Sequence, residues 1–285
     1  MLPELKSAVT EISELAKRLG LEIVLVGGLV AEFTSEIDEN SPTFPRTRDA
    51  DFAFCAIDWP QFQKLKEELA NQLKFHPDVR IEHRLKKGDV LVDLIPYGPG
   101  IAPEGTLVWP GSKNEFNVIG FDEACASAVK AQKPGIPPVS ILTIPGFVLL
   151  KIIAFLDRKE QNSPKHKNDA DGIYYWLKNY ADDERRFDVP EGDDPEERQY
   201  ATAGAVLLGM EVKRLASAKA AIFIERFVSE AVMPDNSFVD AVTSGRYGEL
   251  SERIREELPS LIVAFKHGYI LGKKPRSKRT TPSGF

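Results

Sequence analysis

Two aspartates separated by one residue are the part of this sequence with the clearest chemical meaning. Asp49 and Asp51 lie in a segment, 49–57, whose alternating pattern predicts a strand. Because side chains of a strand alternate between its two faces, both carboxylates project from the same face. Adjacent carboxylates repel each other, and a bound cation removes that repulsion. The spacing therefore predicts a site for Mg²⁺, which prefers oxygen ligands and often shares them with substrate phosphates.

A third carboxylate, Asp93, stands in a stretch that is otherwise apolar. The residues from Val90 to Ile95 predict a central strand buried on both faces. A carboxylate in such a strand must be paired, hydrogen-bonded or bound to a metal. If this strand lies beside segment 49–57, we expect Asp93 to complete the metal site and to be available as general base for an incoming hydroxyl.

A pair of glycines suggests how a phosphate would be held. Gly27 and Gly28 follow the apolar run 21–26, which predicts a strand, and precede a predicted helix over 29–36. Glycines let the backbone approach a phosphate closely, and free N–H groups at a helix start favour anions. A Gly-Gly pair alone more often marks only a turn, so its meaning depends on the aspartates that follow.

Two arginines, Arg46 and Arg48, come just before the aspartates. A guanidinium can bind two oxygens of a phosphate at once, which would suit a nucleotide. The alternative is that both arginines only balance the nearby negative charge. The sequence leaves both roles open.

The elements that must position these residues change in character along the chain. The first half predicts short strands, including an antiparallel pair over 79–85 and 89–95 that turns at Lys87-Gly88, and a short strand near 106–109. After about residue 140 the apolar spacing is helical almost throughout. The predicted helices of this half are 145–158, 169–180, 197–215, 217–232 and 249–271.

Strands first and helices later are typical of an α+β fold. We therefore predict a catalytic domain of residues 1–140, a helical domain of residues 141–272 and a basic, disordered tail of residues 273–285. The aromatic residues near the predicted helix 169–180 are expected to be core residues rather than a stacking platform for a base.

The composition narrows the class of protein. With 42% hydrophobic and 28% charged residues, it is that of a soluble globular protein. A net charge of -6 argues against a general binder of polyanions, although the tail has the charge to contact phosphates. We expect no secretory signal, no membrane partner and two reduced cysteines, Cys55 and Cys125, and hence a cytoplasmic protein.

Taken together, these motifs resemble the DNA polymerase beta superfamily of nucleotidyltransferases. The pattern of that family is an apolar residue, Gly-Gly or Gly-Ser, a helix, Asp-x-Asp or Asp-x-Glu, and another Asp on a later strand. The resemblance implies a nucleotidyltransferase-type mixed sheet with flanking helices, an NTP substrate and two Mg²⁺ ions held by Asp49, Asp51 and Asp93. It covers roughly residues 20–180.

Within the superfamily the sequence is most similar to the AbiEii-type toxin branch. There the helical half carries a lysine and then a Lys-(Asp/Asn)-x-x-Asp element, which Lys151 and the segment 167–171 match. By this resemblance Lys151, Asp171, Arg48 and the two glycines bind the nucleotide. From the residues alone, Lys151 is equally well a lysine at the edge of an amphipathic helix, and Asp169 and Asp171 are acids of a first helical turn.

The function that follows is a magnesium-dependent nucleotidyltransferase. It would move an NMP from an NTP to a hydroxyl of an RNA end, a protein or a small molecule such as an aminoglycoside. The branch favours RNA or protein and a role as the toxin of a toxin–antitoxin pair, with an antitoxin as partner. The alternative is a catalytically silent module that binds nucleotide or protein, and the intact set of three carboxylates argues against it.

Overall fold

The computed structural model describes residues 2–34, 47–189, 200–244 and 247–272. Arg46 and the tail of residues 273–285 lie outside these ranges, as does the end of the predicted helix 29–36. What the sequence predicts for them stays a prediction.

In these ranges the chain forms a seven-stranded sheet and a separate two-stranded ribbon. The strands are β1 (Ile23–Val26), β2 (Asp49–Cys55), β3 (His76–Pro77), β4 (Arg84–Lys87), β5 (Val90–Tyr97), β6 (Thr106–Val108), β7 (Glu115–Asn117), β8 (Val129–Lys133) and β9 (Ile136–Ile141). Their order across the large sheet is β3-β4-β5-β2-β1-β9-β8. The sheet is mixed, because β1 is antiparallel to β2 whereas β2 is parallel to β5 and β1 to β9.

Helices flank the sheet and make up the described chain after β9. They are α1 (Pro3–Arg18), α2 (Val30–Phe33), α3 (Trp59–Leu73), α4 (Phe121–Ala126), α5 (Ile144–Glu160), α6 (His166–Asn179), α7 (Tyr200–Leu215), α8 (Ala218–Ala231), α9 (Ser237–Thr243) and α10 (Ser251–Leu271). Several begin at side-chain caps of the kind that satisfies the free N–H groups of a first turn. Asp58 caps α3, and Thr143 caps α5 by accepting from the N–H of Gly146.

The helical half joins the sheet through α5. This helix is apolar on most of its surface, so it is buried between α4, α6, α7 and α8. Its far side rests on the pair α7 and α10, which approach closely at Gly268, where a β-carbon would lie 1.9 Å from the carbonyl oxygen of Val206. Residues of α5 thereby lie near residues of β1, β2 and β5.

The predicted α+β class, a mixed sheet with flanking helices followed by a helical region, is confirmed. The central position of the strand with Asp93 is also as predicted, since β5 lies between β4 and β2. In the described ranges, no helix combines the length and the apolar character needed to cross a membrane.

Several predicted elements are wrong in detail. The hairpin between β4 and β5 turns at Gly88-Asp89 rather than Lys87-Gly88, because Lys87 pairs with Val90 and Gly88 takes the positive φ of the turn. The first strand of that hairpin is 84–87, not 79–85. After the glycines the chain makes a 3-10 turn and then only the short α2, with Thr34 already outside the helix.

Candidate active site

The three predicted carboxylates converge at one edge of the sheet. Parallel pairing of β2 with β5 sets Asp51 directly opposite Asp93, and Asp49 lies two residues earlier on the same face of β2. One ligand oxygen from each of the three carboxylates lies within 4.8 Å of the other two. We call Asp49, Asp51 and Asp93 the acidic wall. The main-chain ladder of two adjacent strands fixes their relative positions.

Close packing of like charges has a clear electrostatic result. Burial, with the charges of Asp49 and Asp93 in addition, raises the pKa of Asp51 to about 8, although Lys151 and Arg84 act in the opposite direction. A carboxylate in such a place binds either a proton or a cation at neutral pH. The donors are all hard oxygens, which is the ligand type that Mg²⁺ prefers. The residues present therefore fit a divalent metal.

Gly27 is needed to make room for the acidic wall. It has a positive φ of 70°, and a β-carbon on it would lie 1.9 Å from Oδ2 of Asp51. A β-carbon on Gly28 would lie 3.0 Å from that of Thr47, whose hydroxyl hydrogen-bonds to the Asp49 carboxylate. The sequence assigned both glycines to a phosphate, and the structure gives them a second role in packing against the aspartates and Thr47.

An arginine that sequence reasoning missed contacts the acidic wall. Arg84, on β4, is the cross-strand partner of Asp93, and its Nε and Nη2 donate to the two carboxylate oxygens at 2.7 Å each. His83 is next to it, with Nε2 3.7 Å from Oδ2 of Asp93. Burial lowers the pKa of this histidine, although the charge of Asp93 acts in the opposite direction. The only sequence signal for Arg84 was its position in a predicted hairpin with Asp93.

A second group of charges lies on the helical side. Asp169, at the start of α6, is fully buried and accepts from Lys151 at 2.7 Å and from Arg158 at 2.6 Å, both on α5. We call Lys151, Arg158 and Asp169 the basic wall. Since one carboxylate serves two cations, this wall keeps a net positive charge.

A cavity of about 280 Å³ separates the acidic wall from the basic wall. Asp51 and Asp93 of the sheet line it, and so do all three residues of the basic wall together with Asp157 and Lys165. Between them the lining is largely apolar and comes from both halves of the chain, including Phe116, Ile119, Phe121, Leu142, Phe147 and Leu150. A small number of convergent polar groups in a mostly apolar cleft is the usual form of a small-molecule site.

Not every predicted residue lines this cavity. Of the predicted residues, Gly27, Asp51, Asp93 and Lys151 are part of the lining, whereas Asp49, Gly28, Arg48 and Asp171 are not. Arg48 is exposed, and Asp171 is buried within α6. Asp169 lines the cavity instead of Asp171, and its carboxylate pairs with Lys151 and Arg158 of α5.

The aromatic residues of α6 are core residues, as predicted. Tyr174, Tyr175 and Trp176 are buried, and the phenol of Tyr174 hydrogen-bonds to Glu257 of α10. None of the three lines the cavity among the described residues.

Comparisons with known proteins give structures of low similarity. No family model and no curated protein matches the sequence. A solution structure of the antibiotic-resistance factor ANT(2'')-Ia aligns with a TM-score of 0.43 and 14% identity, covering 80% of this chain and 96% of that one. A crystal structure of an antigenic nucleotidyltransferase-like protein from Paracoccidioides brasiliensis aligns with a TM-score of 0.43 and 18% identity, covering 76% and 95%.

A crystal structure of ANT(2'')-Ia in complex with adenylyl-2''-tobramycin gives a TM-score of 0.40 and 15% identity, covering 79% of this chain and 98% of that one. At these identities and TM-scores, the likeness assigns no activity to this chain. The functional argument therefore depends on its own residues.

Proposed function

We propose that this protein is a metal-dependent nucleotidyltransferase that transfers a nucleoside monophosphate from an NTP to a hydroxyl. The observation that supports it most is the cluster of Asp49, Asp51 and Asp93, two of which, Asp51 and Asp93, line the same cavity as the cations Lys151 and Arg158. One wall suits divalent cations and the other suits phosphate oxygens. A nucleoside triphosphate with its metal is the common substrate that needs both.

The acidic wall would hold two Mg²⁺ ions, with Asp49 and Asp51 contributing to both and Asp93 to one. When bound, such ions lower the pKa of an attacking hydroxyl and neutralise charge on the leaving pyrophosphate. Asp93 would receive the proton of the acceptor hydroxyl. The hydroxyl oxygen forms the new bond to the α-phosphorus, and the bond from that phosphorus to the bridging oxygen breaks, so that pyrophosphate leaves with its electron pair.

The basic wall would bind the phosphates. Lys151 and Arg158 are held in place by a buried carboxylate, so their positive ends are oriented before substrate arrives. Gly27 lets the backbone end of β1 lie close to the same region. The apolar lining between the walls, with Phe116 and Phe147, provides a surface for the sugar and base while water is excluded.

The acceptor and the biological role are finer proposals. The match of Lys151 and segment 167–171 to the AbiEii-type branch supports an RNA end or a protein hydroxyl, and a toxin neutralised by an antitoxin. The aminoglycoside bound by ANT(2'')-Ia makes a small-molecule alcohol the other acceptor class to test. Arrest of growth on expression, relieved by the product of an adjacent gene, would support the toxin role.

The test is transfer of label from each of the four α-³²P-labelled NTPs, with Mg²⁺, to cellular RNA, cellular protein or a panel of aminoglycosides. The proposal expects label on one acceptor class, lost with EDTA and in Asp51→Asn. Asp240→Asn, which removes an exposed carboxylate paired with Arg255, is the matched control and should transfer normally. If no acceptor is labelled and nucleotide still binds, the chain is a silent nucleotide-binding module instead.

A further inference from the structure

The contact between Arg84 and Asp93 is the feature of the acidic wall that the proposed function does not use. It is bidentate, with both donor–acceptor distances 2.7 Å, and the two side chains are only 17% and 11% exposed. The two residues are also direct cross-strand partners on β4 and β5. A planar guanidinium fork on a carboxylate fixes the orientation of that carboxylate as well as its charge.

We propose that Arg84 is a positioning residue that holds Asp93 in place before metal binds and makes tight metal binding depend on the nucleotide. This inference rests on the proposed function, because it concerns the same three carboxylates. Arg84 would orient Asp93 towards Asp51, and its fixed positive charge would oppose entry of divalent ions that arrive without a triphosphate.

The charges at the site support this dependence. The guanidinium cancels one of the three negative charges, and Lys151 faces the same carboxylates from the other side of the cavity. Two divalent ions would then leave an excess of positive charge in a site with little water, where like charges interact strongly. A triphosphate supplies the missing negative charge. Nucleotide and metal are therefore expected to bind together.

The geometry leaves Asp93 able to bind metal while it is paired. Each carboxylate oxygen has two lone pairs, and the guanidinium takes one on each oxygen. The other lone pair of each oxygen is left for an ion, and Asp51 lies directly opposite Asp93 in the sheet. Arg84 thus has no need to leave when the ion enters, and its charge acts on the occupied site as well.

A purely structural ion pair predicts a different result. If Arg84 only stabilised the contact between β4 and β5, its loss would lower the free energy of unfolding and leave Asp93 less ordered. Metal affinity would then fall or stay the same. Under the present proposal the loss of the positive charge outweighs the loss of order, so that metal affinity without nucleotide rises.

The experiment is a Mn²⁺ titration followed by the EPR signal of the free ion, with and without α,β-methylene analogues of the four NTPs. In wild type the best analogue should tighten Mn²⁺ binding at least about tenfold, a change in dissociation constant that EPR resolves readily. Arg84→Gln should bind Mn²⁺ alone about tenfold more tightly than wild type and lose most of the effect of the analogue. Arg84→Lys keeps the charge, so its affinity for Mn²⁺ in the absence of nucleotide should equal that of wild type.

Arg185→Gln is the matched control, since Arg185 makes a bidentate pair with Asp183 and neither residue lines the cavity. It should leave Mn²⁺ binding unchanged. Should Arg84→Gln fail to fold in a thermal melt, Asp93→Asn is compared with the double variant Arg84→Gln/Asp93→Asn, in which no buried charge is left alone. The double variant should bind Mn²⁺ more tightly than Asp93→Asn.

The outcomes separate this inference from the proposed function. Mn²⁺ affinity that is unchanged or weaker without Arg84, in a chain whose Asp51→Asn variant loses Mn²⁺ binding, overturns the role of Arg84 and leaves the metal site intact. Absence of Mn²⁺ binding in wild type, with or without any of the analogues, overturns the proposed function itself.

Discussion

The acidic wall and the basic wall face each other across one cavity, yet they are built in opposite ways. Two neighbouring strands position the carboxylates of the acidic wall, and their register forces like charges together. The basic wall is formed by two helices, and its two cations share the fully buried carboxylate of Asp169. In the acidic wall like charges therefore repel each other. In the basic wall the carboxylate of Asp169 neutralises part of the positive charge.

The difference shows where function opposes stability. Repulsion among the carboxylates of the acidic wall raises the free energy of the folded chain, and the cation that we propose would remove this cost. The charges of the basic wall help to hold α5 against α6, and only the positive charge that Asp169 leaves unpaired would be available for the proposed phosphate. Variants of the two walls should therefore change activity and stability in different proportions, as the four predictions below state in order of decreasing effect.

Asp51→Asn is expected to have the largest effect, and only on activity. Transfer should fall about a thousandfold or more, because a buried charged group at the reacting centre is lost. The melting temperature of the metal-free protein should stay the same or rise, because one of three crowded carboxylates is gone. Labelled-NTP transfer and a thermal melt in EDTA measure the two effects. A clear drop in melting temperature would contradict the view that repulsion among these carboxylates destabilises the folded protein.

Asp169→Asn should mainly reduce stability. Removing the shared carboxylate leaves Lys151 and Arg158 without their buried partner, which costs about 3 kcal/mol in comparable cases. Urea unfolding monitored by circular dichroism gives the change in free energy. Asp240→Asn, at an exposed pair, should change it by less than about 1 kcal/mol. If the two variants are equally stable, the ion pairs of Asp169 with Lys151 and Arg158 do not stabilise the fold as proposed.

Gly27→Ala should move Asp51 without changing any charge. The new β-carbon would overlap Oδ2 of Asp51, and a displacement of this kind near reacting groups costs about a hundredfold in rate. Gly20→Ala is a matched control, because Gly20 has nearly the same φ, 67°, but nothing within 4 Å of a β-carbon. Both variants should lose about 1 kcal/mol of stability from backbone strain. Equal transfer rates in the two would show that Gly27 does not position Asp51.

The pH dependence of stability should reveal the repulsion between the carboxylates of the acidic wall directly. Folding raises the pKa of Asp51 from 3.8 to about 8, so the folded chain binds more protons than the unfolded chain between these values. Stability of the metal-free protein should therefore fall as the pH rises through this window. Urea unfolding in EDTA at pH 5, 7 and 8.5 measures the slope. Asp51→Asn should flatten it, and an unchanged slope would mean that another group is responsible.

The sequence predicted the acidic wall because its signals are local. Alternation along 49–55 places Asp49 and Asp51 on one face, and an apolar run around Asp93 marks a central strand. The register between the two strands depends on residues that are far apart in the sequence. Only the structure therefore shows that Asp51 lies opposite Asp93.

Arg84 was missed because a one-residue error in the hairpin turn changes every cross-strand pair. With the predicted turn at Lys87-Gly88, Glu82 would have faced Asp93. The observed turn at Gly88-Asp89 places Arg84 there instead.

The strands β8 and β9 were missed for a different reason. Pro134, Pro137 and Pro138 lie in this segment, and proline usually signals a loop because it has no N–H to donate to a sheet. The burial of Ile136, Val139 and Ile141 against the core outweighs that local preference. The sequence also did not reveal the buried ion pairs of Asp169, because its partners lie on another helix.

The β2 strand ends at the exposed Cys55, whereas Cys125, the other cysteine of the sequence, is buried. Cys55 lies six residue steps along the strand from Asp49, a span of roughly 20 Å. A nitroxide attached to the accessible thiol would sit at a fixed distance from a paramagnetic ion bound at the opposite end of the strand. The interaction between the spin label and the ion would therefore report occupancy of the proposed metal site without any substitution in the chain.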